Sequence, residues 1–588
     1  MPAPLVSIES SPKLPAHADV VVIGGGVIGA FTAYYLARRG LKVALLEKGC
    51  IGAEQSSRNW GWCRQQNRDA RELPMATKSL ELWDQFVADE SDQTGFRRCG
   101  LLYLSNDEAE LAGWSRWGDF ARSVGIQTHM LSSREAAERG RVTGKSWKGG
   151  VFSPTDGTAD PSRAAPAVAR AILRHGGTVH QRCAARGIET QGGRLSAVVT
   201  ELGVIRTPAA VLAGGAWASS FCRQLGIRFP QAAIRQTVLT VGPGSADLPD
   251  TLHTSAASMT RRSDGSYMLA ISGRARVDPT PQLLRFGLQF LPMFQRRWRN
   301  LALGGLEGIR SGHESLARWR LDRPTPMERM RVLDPAVDDA VVRLTYQRAV
   351  DLVPALRERA ITAAWAGYID STPDGVPGIG EVKSQPGLVL AAGFSGHGFG
   401  VSPGAGHLIA DIVTGAAPII DPRPFHPDRF SSATWGQVAD FRLTPIPQAF
   451  SIRKGQLMLN STRLRPLSEV SATSTKVAMQ TRLQNIDALG GLVMALMLGR
   501  GARRPRRSAP LARLRLARHP RPFRQSLVPA ARWHVGSGAV LPDLAIGERV
   551  RILPNHACAT GAQHRAYQVV RGRSDRVEAE WPRFGGWQ

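Results

Sequence analysis

Gly24, Gly26 and Gly29 are spaced G-x-G-x-x-G, a pattern that can bring a backbone against a pyrophosphate. The first glycine makes a tight turn, the second leaves room for the phosphates, and the third lets a helix close on a strand. Glu47 follows Gly29 by 18 residues, where a carboxylate can accept hydrogen bonds from a ribose hydroxyl. A second cluster, Gly393, Gly396, Gly398 and Gly400, again permits close backbone approach to a ligand, with Ser395 and His397 among its members. His556 and Cys558, two apart in a strand-like stretch, face the same way and could reach one Zn²⁺, although two ligands do not close a zinc site.

These groups need elements to hold them. Residues 20 to 23 are β-branched, a helical pattern follows the glycine turn, and a second strand from 43 to 46 ends at Glu47, which makes a βαβ unit. The helix opens with Val27 and Ile28, so its free N–H groups and positive dipole end face the phosphates. After the second glycine cluster an apolar helix from Ala405 to Val413 presents its N-terminus to the electron-rich edge of a ligand. Residues 71–149 and 225–355 lack glycine fingerprints and contain strand-like runs such as IRQTVLTVG and SYMLAIS. The glycine motif alone does not choose between NAD and FAD.

The stretch GAEQSSRNWGWCRQQ, and the later segments GVFSPTDGTADPSRAAPAVARAILRHGGTVH, PAAVLAGGAWAS, WAGYIDSTPDGVPGIG and GLVLAAGFSGHGFGVSPGAGHLIADIVTG, resemble the D-amino-acid oxidase-like flavoproteins in order and spacing. That family includes glycine oxidase, sarcosine oxidase and D-amino-acid dehydrogenases, and the resemblance covers roughly residues 18 to 430. It implies an α/β fold with a discontinuous Rossmann-type FAD-binding domain (18–70, 150–224 and 356–425) and an α+β substrate domain (71–149 and 225–355). It also implies non-covalent FAD, with Lys48, Ser56, Ser57, Ala185 and Gly215 joining the glycines and Glu47 in its site. The implied reaction is hydride transfer from a C–H beside an amine nitrogen to flavin, giving an imine that hydrolyses. The substrate would be a D-amino acid, hydroxyamino acid or N-substituted amino acid, and the acceptor O₂, a quinone or another electron carrier.

No general base is required for that chemistry, so the candidates are residues that hold substrate. D-amino-acid oxidases carry an Arg before their T-P-D-G segment, whereas Gly367, Tyr368, Ile369 and Asp370 stand here. Arg64, in WCRQQ, stands where the sarcosine-oxidase-like members place a basic residue near the flavin face, so the resemblance makes it the expected carboxylate ligand, with Tyr368, Asp370 and His397 as further pocket residues, and Asp370 reads equally well as a turn cap.

The 588 residues carry a formal charge of +27, and 24 basic against 7 acidic residues fall between 453 and 588. Eleven arginines lie between 500 and 532 without periodicity, which predicts a basic, disordered linker over 441–525; an out-of-frame high-GC sequence has the same texture. With few interleaved aromatics and no known module, this composition argues against nucleic-acid binding. Residues 526–588 resemble the C-terminal β domain of the D-serine dehydratase and D-threonine aldolase family, in which the P-N-H-A-C strand supplies metal ligands, here His556 and Cys558. That family's PLP-bearing barrel is missing, so the tail reads as a fused remnant. A PLP- and metal-dependent lyase working with a partner barrel, and a non-catalytic flavoprotein or scaffold, are the alternatives. Six scattered cysteines, a first segment (1–17) without a secretory pattern and no run long enough to span a bilayer lead to the expectation of a cytoplasmic protein.

Overall fold

The computed structural model describes residues 3–430 apart from 92–93 and 246, residue 438, and three stretches of the tail, 550–552, 566–571 and 577–582. It divides into two units, Met1–Met458 and Leu459–Gln588.

Strand Val20–Ile23 is buried along its whole length and pairs in parallel with Val43–Leu46 on one side and Ala209–Leu212 on the other. An unbroken apolar run suits a strand covered on both faces. The six-stranded sheet runs Gly378–Glu381, Leu388–Ala392, Ala209–Leu212, Val20–Ile23, Val43–Leu46, Thr178–His180, parallel except at the first strand. The chain leaves Ile23 through Gly24, whose φ is +112° and where a Cβ would stand 2.3 Å from the Ala213 carbonyl oxygen. A Cβ on Gly29 would lie 2.0 Å from the Gly24 oxygen, so helix Val27–Arg38 packs on its strand only because that position is bare. Helix Ser402–Thr414 crosses the same helix at Gly406, where a Cβ would meet that of Phe31 at 2.6 Å.

A second sheet of ten strands runs Leu301–Leu303, Ala275–Val277, Ala232–Val241, Tyr267–Ala270, Ser258–Arg261, Thr251–His253, Leu101–Ser105, Gly149–Ser153, His129–Leu131, and Ile361–Ser371 lies antiparallel on Ala232–Val241. Gly149–Ser153 and Ile361–Ser371 thus belong to this sheet, so the chain returns to the nucleotide-binding layer near residues 154 and 372, later than the expected 150 and 356. The larger shift has a physical reason: Ile361–Ser371 is one long strand that pairs with Ala232–Val241 along its whole length, from Ile361 to Ser371.

In the second unit Val550–Ile552, Ala566–Arg571 and Val577–Pro582 form a three-stranded antiparallel sheet. The linker at 441–525 and the pair His556 and Cys558 lie outside the described residues. Among the described residues no helix is long and apolar enough to cross a membrane, and no group of three metal-ligating side chains occurs.

Candidate active site

A cavity of about 1320 Å³ runs from the glycine turn of the first sheet to the face of the second. It exceeds the roughly 300–1,000 Å³ of a site for one drug-sized ligand. One end is lined by Gly24, Gly26, Val27, Ile28, Glu47 and Ser56. Gly26 caps helix Val27–Arg38, and a Cβ there would come within 3.2 Å of Ser56 Oγ, filling the cradle. Ser56 Oγ accepts a hydrogen bond from Val27 N at 2.8 Å, at the point where a helix N-terminus most favours an anion. Glu47 accepts from Gly25 N at 2.8 Å and Gly49 N at 2.7 Å, which ties the glycine turn to the end of the second strand. Burial pushes its carboxyl up, and each oxygen keeps a second lone pair for a hydroxyl donor.

Lys48 also lines this end, but its ammonium donates to Glu54 and to the carbonyls of Met330 and Arg331 at 3.0 and 2.8 Å, so it fastens the 330–331 segment. Ala185, Gly215, Ser395, Gly396, His397 and Gly398 line the same cavity. Three expected residues stand behind the wall. Gly29 carries the helix packing, Ser57 Oγ donates to Glu54 O at 3.3 Å, and Gly393, at φ +79°, donates its N–H to Asp370 at 2.8 Å.

At the far end the short strand Trp62–Cys63 pairs with Gly157–Thr158. Asp156, buried between them, accepts from Gln65 N at 2.7 Å and Gln66 N at 3.1 Å, fixing the backbone on both sides of Arg64. Gly400 lets the 393–400 loop close on this strand, since a Cβ there would stand 2.6 Å from the Trp62 oxygen. Arg64 projects into the cavity with its guanidinium 5.9 Å from the Trp62 ring centroid and one N–H donated to Gln66 O. Trp62, Tyr103 and His253 form an aromatic wall beside it, with ring centroids 5.0 to 5.9 Å apart.

Residues 19–412 match the family described as FAD dependent oxidoreductase. The chain belongs to that family. Residues 530–570 match a serine dehydratase domain family, and His556 and Cys558 fall within that stretch. Mitochondrial sarcosine dehydrogenase of Mus musculus is 26% identical over 448 residues, which is 74% of this chain and 44% of that protein. The chain thus spans under half the length of the sarcosine dehydrogenases it matches. Glycine oxidase of Geobacillus kaustophilus is 27% identical over 69% of this chain and 96% of its own length. Among solved structures, L-amino acid deaminase from Proteus vulgaris superimposes with a TM-score of 0.69 at 29% identity, covering 72% of this chain and 100% of that one.

The residues present fit an FAD of this family. The bare Gly26, the helix N-terminus and Glu47 stand where its diphosphate and ribose need them, and the cavity continues past them to Arg64. His397 Nδ1 lies 3.2 Å from Glu72 Oε2, and burial lowers the imidazole to about 4, so the ring is neutral. Asp370 is 2% exposed and is taken up by Gly393 N and, at 3.3 Å, the Gln231 amide; it braces the glycine loop instead of capping its own turn. Burial raises its carboxyl to about 6. Tyr368 lines the same cavity and is buried, with its hydroxyl 3.4 Å from Asp278 and its ring 4.6 Å from that of His313.

Three residues of the substrate end escaped the sequence. Tyr103 and His253 sit on neighbouring strands of the second sheet, and nothing local in LLYLS or TLH marks them; only the pairing of His253 with Tyr103 brings them together. Arg68 is 2% exposed, and its Nη1 has no hydrogen-bond partner among the described residues. Burial and the neighbouring Arg64 lower it to about 10. Its four-residue spacing from Arg64 in RQQNR was the available signal.

Proposed function

We propose that this protein oxidises the C–N bond of an amino acid or N-substituted amino acid whose carboxylate is held by Arg64. The observation that supports this reading is a guanidinium with open donors at the end of an FAD-sized cavity, backed by an aromatic wall. The relatives' names, glycine oxidase, sarcosine dehydrogenase and L-amino acid deaminase, share an amino-acid substrate. Bound FAD supplies the hydride acceptor. Arg64 orients the carboxylate by charge-assisted hydrogen bonds, its planar fork fixing the angle at which the adjacent carbon presents its hydrogen. Trp62, Tyr103 and His253 exclude water on that side. His397 and His253, both lowered to about 4 by burial, stay neutral and add no positive charge beside the substrate amine, which reacts in its neutral form. The substrate loses a hydride and an N–H proton, and water then splits the imine into an oxo acid or aldehyde and an amine.

The test is anaerobic. The purified flavoprotein is mixed with D-, L- and N-alkyl amino acids, hydroxyamino acids and polyamines, and flavin absorbance is followed. Bleaching by compounds that carry an α-carboxylate supports the reading. Bleaching only by amines without a carboxylate refutes it.

A further inference from the structure

Helix Pro281–Arg297 is apolar on two opposite faces. Phe286, Phe290 and Met293 are buried beneath it, with Phe290 and Met293 lining the rim of the cavity. At roughly 3.6 residues per turn, Leu284, Leu288, Leu291 and, just past its end, Trp298 fall within an arc of about 80° on the other side, and Phe294 stands at the edge of that arc, where it also lines the cavity. Leu284 is 54%, Leu288 74%, Phe294 42% and Trp298 54% exposed. A helix of a water-soluble surface carries polar residues there; an apolar outer face is the mark of one that is covered by something. Eight of the fourteen large hydrophobic side chains exposed among the described residues lie between 284 and 316, so this is a patch and not a scatter.

The charge of the segment says what covers it. Between 281 and 310 there are five arginines and one acid, Glu307, which is itself paired with Arg235. Arg285 and Arg296 are exposed and flank the apolar arc on its polar side, Arg285 resting over Phe286 at 5.2 Å and Arg296 donating to the Val438 oxygen at 3.3 Å. Leu, Phe and Trp on one face with arginines beside them is the composition of a helix that lies in a lipid interface. Arginines near the surface also draw it to anionic headgroups.

We propose that helix Pro281–Arg297 docks the protein on an anionic lipid bilayer, its outer apolar face entering the headgroup region and its axis in the membrane plane. The cavity rim formed by its inner face then lies at the lipid surface.

Full-length flavoprotein is floated with vesicles of phosphatidylcholine alone or mixed with phosphatidylglycerol, at low and at high salt. The basic tail attracts anionic lipid through charge alone, so the fraction bound at high salt is the readout. Wild type is expected to float with the mixed vesicles and keep a bound fraction at high salt. Leu284→Glu with Leu288→Glu should cut that fraction about tenfold at unchanged flavin content. Leu288→Gln serves if the double variant loses flavin. The proposal is overturned if wild type does not float, if the variants float as well as wild type, or if the substitutions turn a dimer into a monomer, which would assign the face to a second copy.

Discussion

Removing the guanidinium of Arg64 separates substrate binding from chemistry. The side chain gives one N–H to Gln66 O, and on the proposed reading its remaining donors meet a ligand in the cavity that it lines. A charge-assisted pair with a carboxylate contributes about 1.5–3 kcal/mol, or roughly 10- to 150-fold in Kd. Arg64→Ala should therefore raise the Kd for an amino acid by that factor, while the rate of flavin reduction at saturation falls much less. Arg64→Lys keeps the charge and loses the fork, so its Kd should lie between the two. Anaerobic stopped-flow reduction over a range of substrate concentrations gives Kd and limiting rate separately. Arg68 remains in both variants, and its buried Nη1, without a hydrogen-bond partner among the described residues, would supply residual affinity on the same reading. An unchanged Kd with a collapsed limiting rate would refute the argument, because it would place Arg64 at the reacting atoms.

Gly26→Val fills the space in front of Ser56 and should give a protein that purifies without the flavin band near 450 nm; normal flavin content would remove Gly26 from the cofactor site. Gly400→Ala puts a Cβ 2.6 Å from the Trp62 oxygen, prising the glycine loop from the Arg64 strand, and should cost about 1–3 kcal/mol in denaturant unfolding. Glu314, buried and raised to about 7, binds its proton more tightly folded than unfolded, so it subtracts stability as pH rises from 4.5 through 7. Asp370 acts in the same direction between 3.8 and about 6. Melting temperature should fall over this range, and Glu314→Gln, which keeps one acceptor oxygen for Ala233 N–H and can donate its amide to the Thr280 hydroxyl, should flatten the upper part; an unaltered slope would discount the burial argument. His397 stays neutral to about 4, so a rate limb seen between about pH 5 and 8 should persist in His397→Gln.

What the sequence carries and what it omits divide along contact distance. Gly24, Gly26 and Gly29 are legible because each answers a local steric demand: a left-handed φ, an empty cradle, a close helix. Glu47 is legible because a strand's end has a fixed offset from the turn before it. Asp370 could be placed in its segment but not in its role, since the groups that occupy its carboxylate come from Gly393 and Gln231, 23 and 139 residues away. Lys48 could be placed at the cavity but not in its ammonium's contacts, which go to Glu54 and to carbonyls nearly three hundred residues later. The domain crossings at 150 and 356 move because strand membership is decided by partners in Ala232–Val241 and Leu101–Ser105.

The substrate end shows why its specificity is the hardest part to read. Arg64 is positioned by Asp156 through two backbone amides, by Gly400 through the absence of a side chain, and by Tyr103 and His253 from strands that meet at a single register pair. None of these signals is periodic, and each lies on a different segment. The charge balance at this end is nonetheless constraining. Arg64 and Arg68 bring two positive charges; Asp156 is shielded by Gln65 and Gln66 amides, and Glu72 faces neutral His397. Burial pulls Arg68 down to about 10 against the attraction of Glu72 and Asp156, still far enough above neutrality to keep its charge, and its Nη1 has no hydrogen-bond partner among the described residues. A buried cation with an open donor costs stability until an anion meets it. On the proposed reading a substrate carboxylate would add to the partial compensation that Glu72 and Asp156 give Arg68, so the panel of compounds should separate along the carboxylate before it separates along stereochemistry.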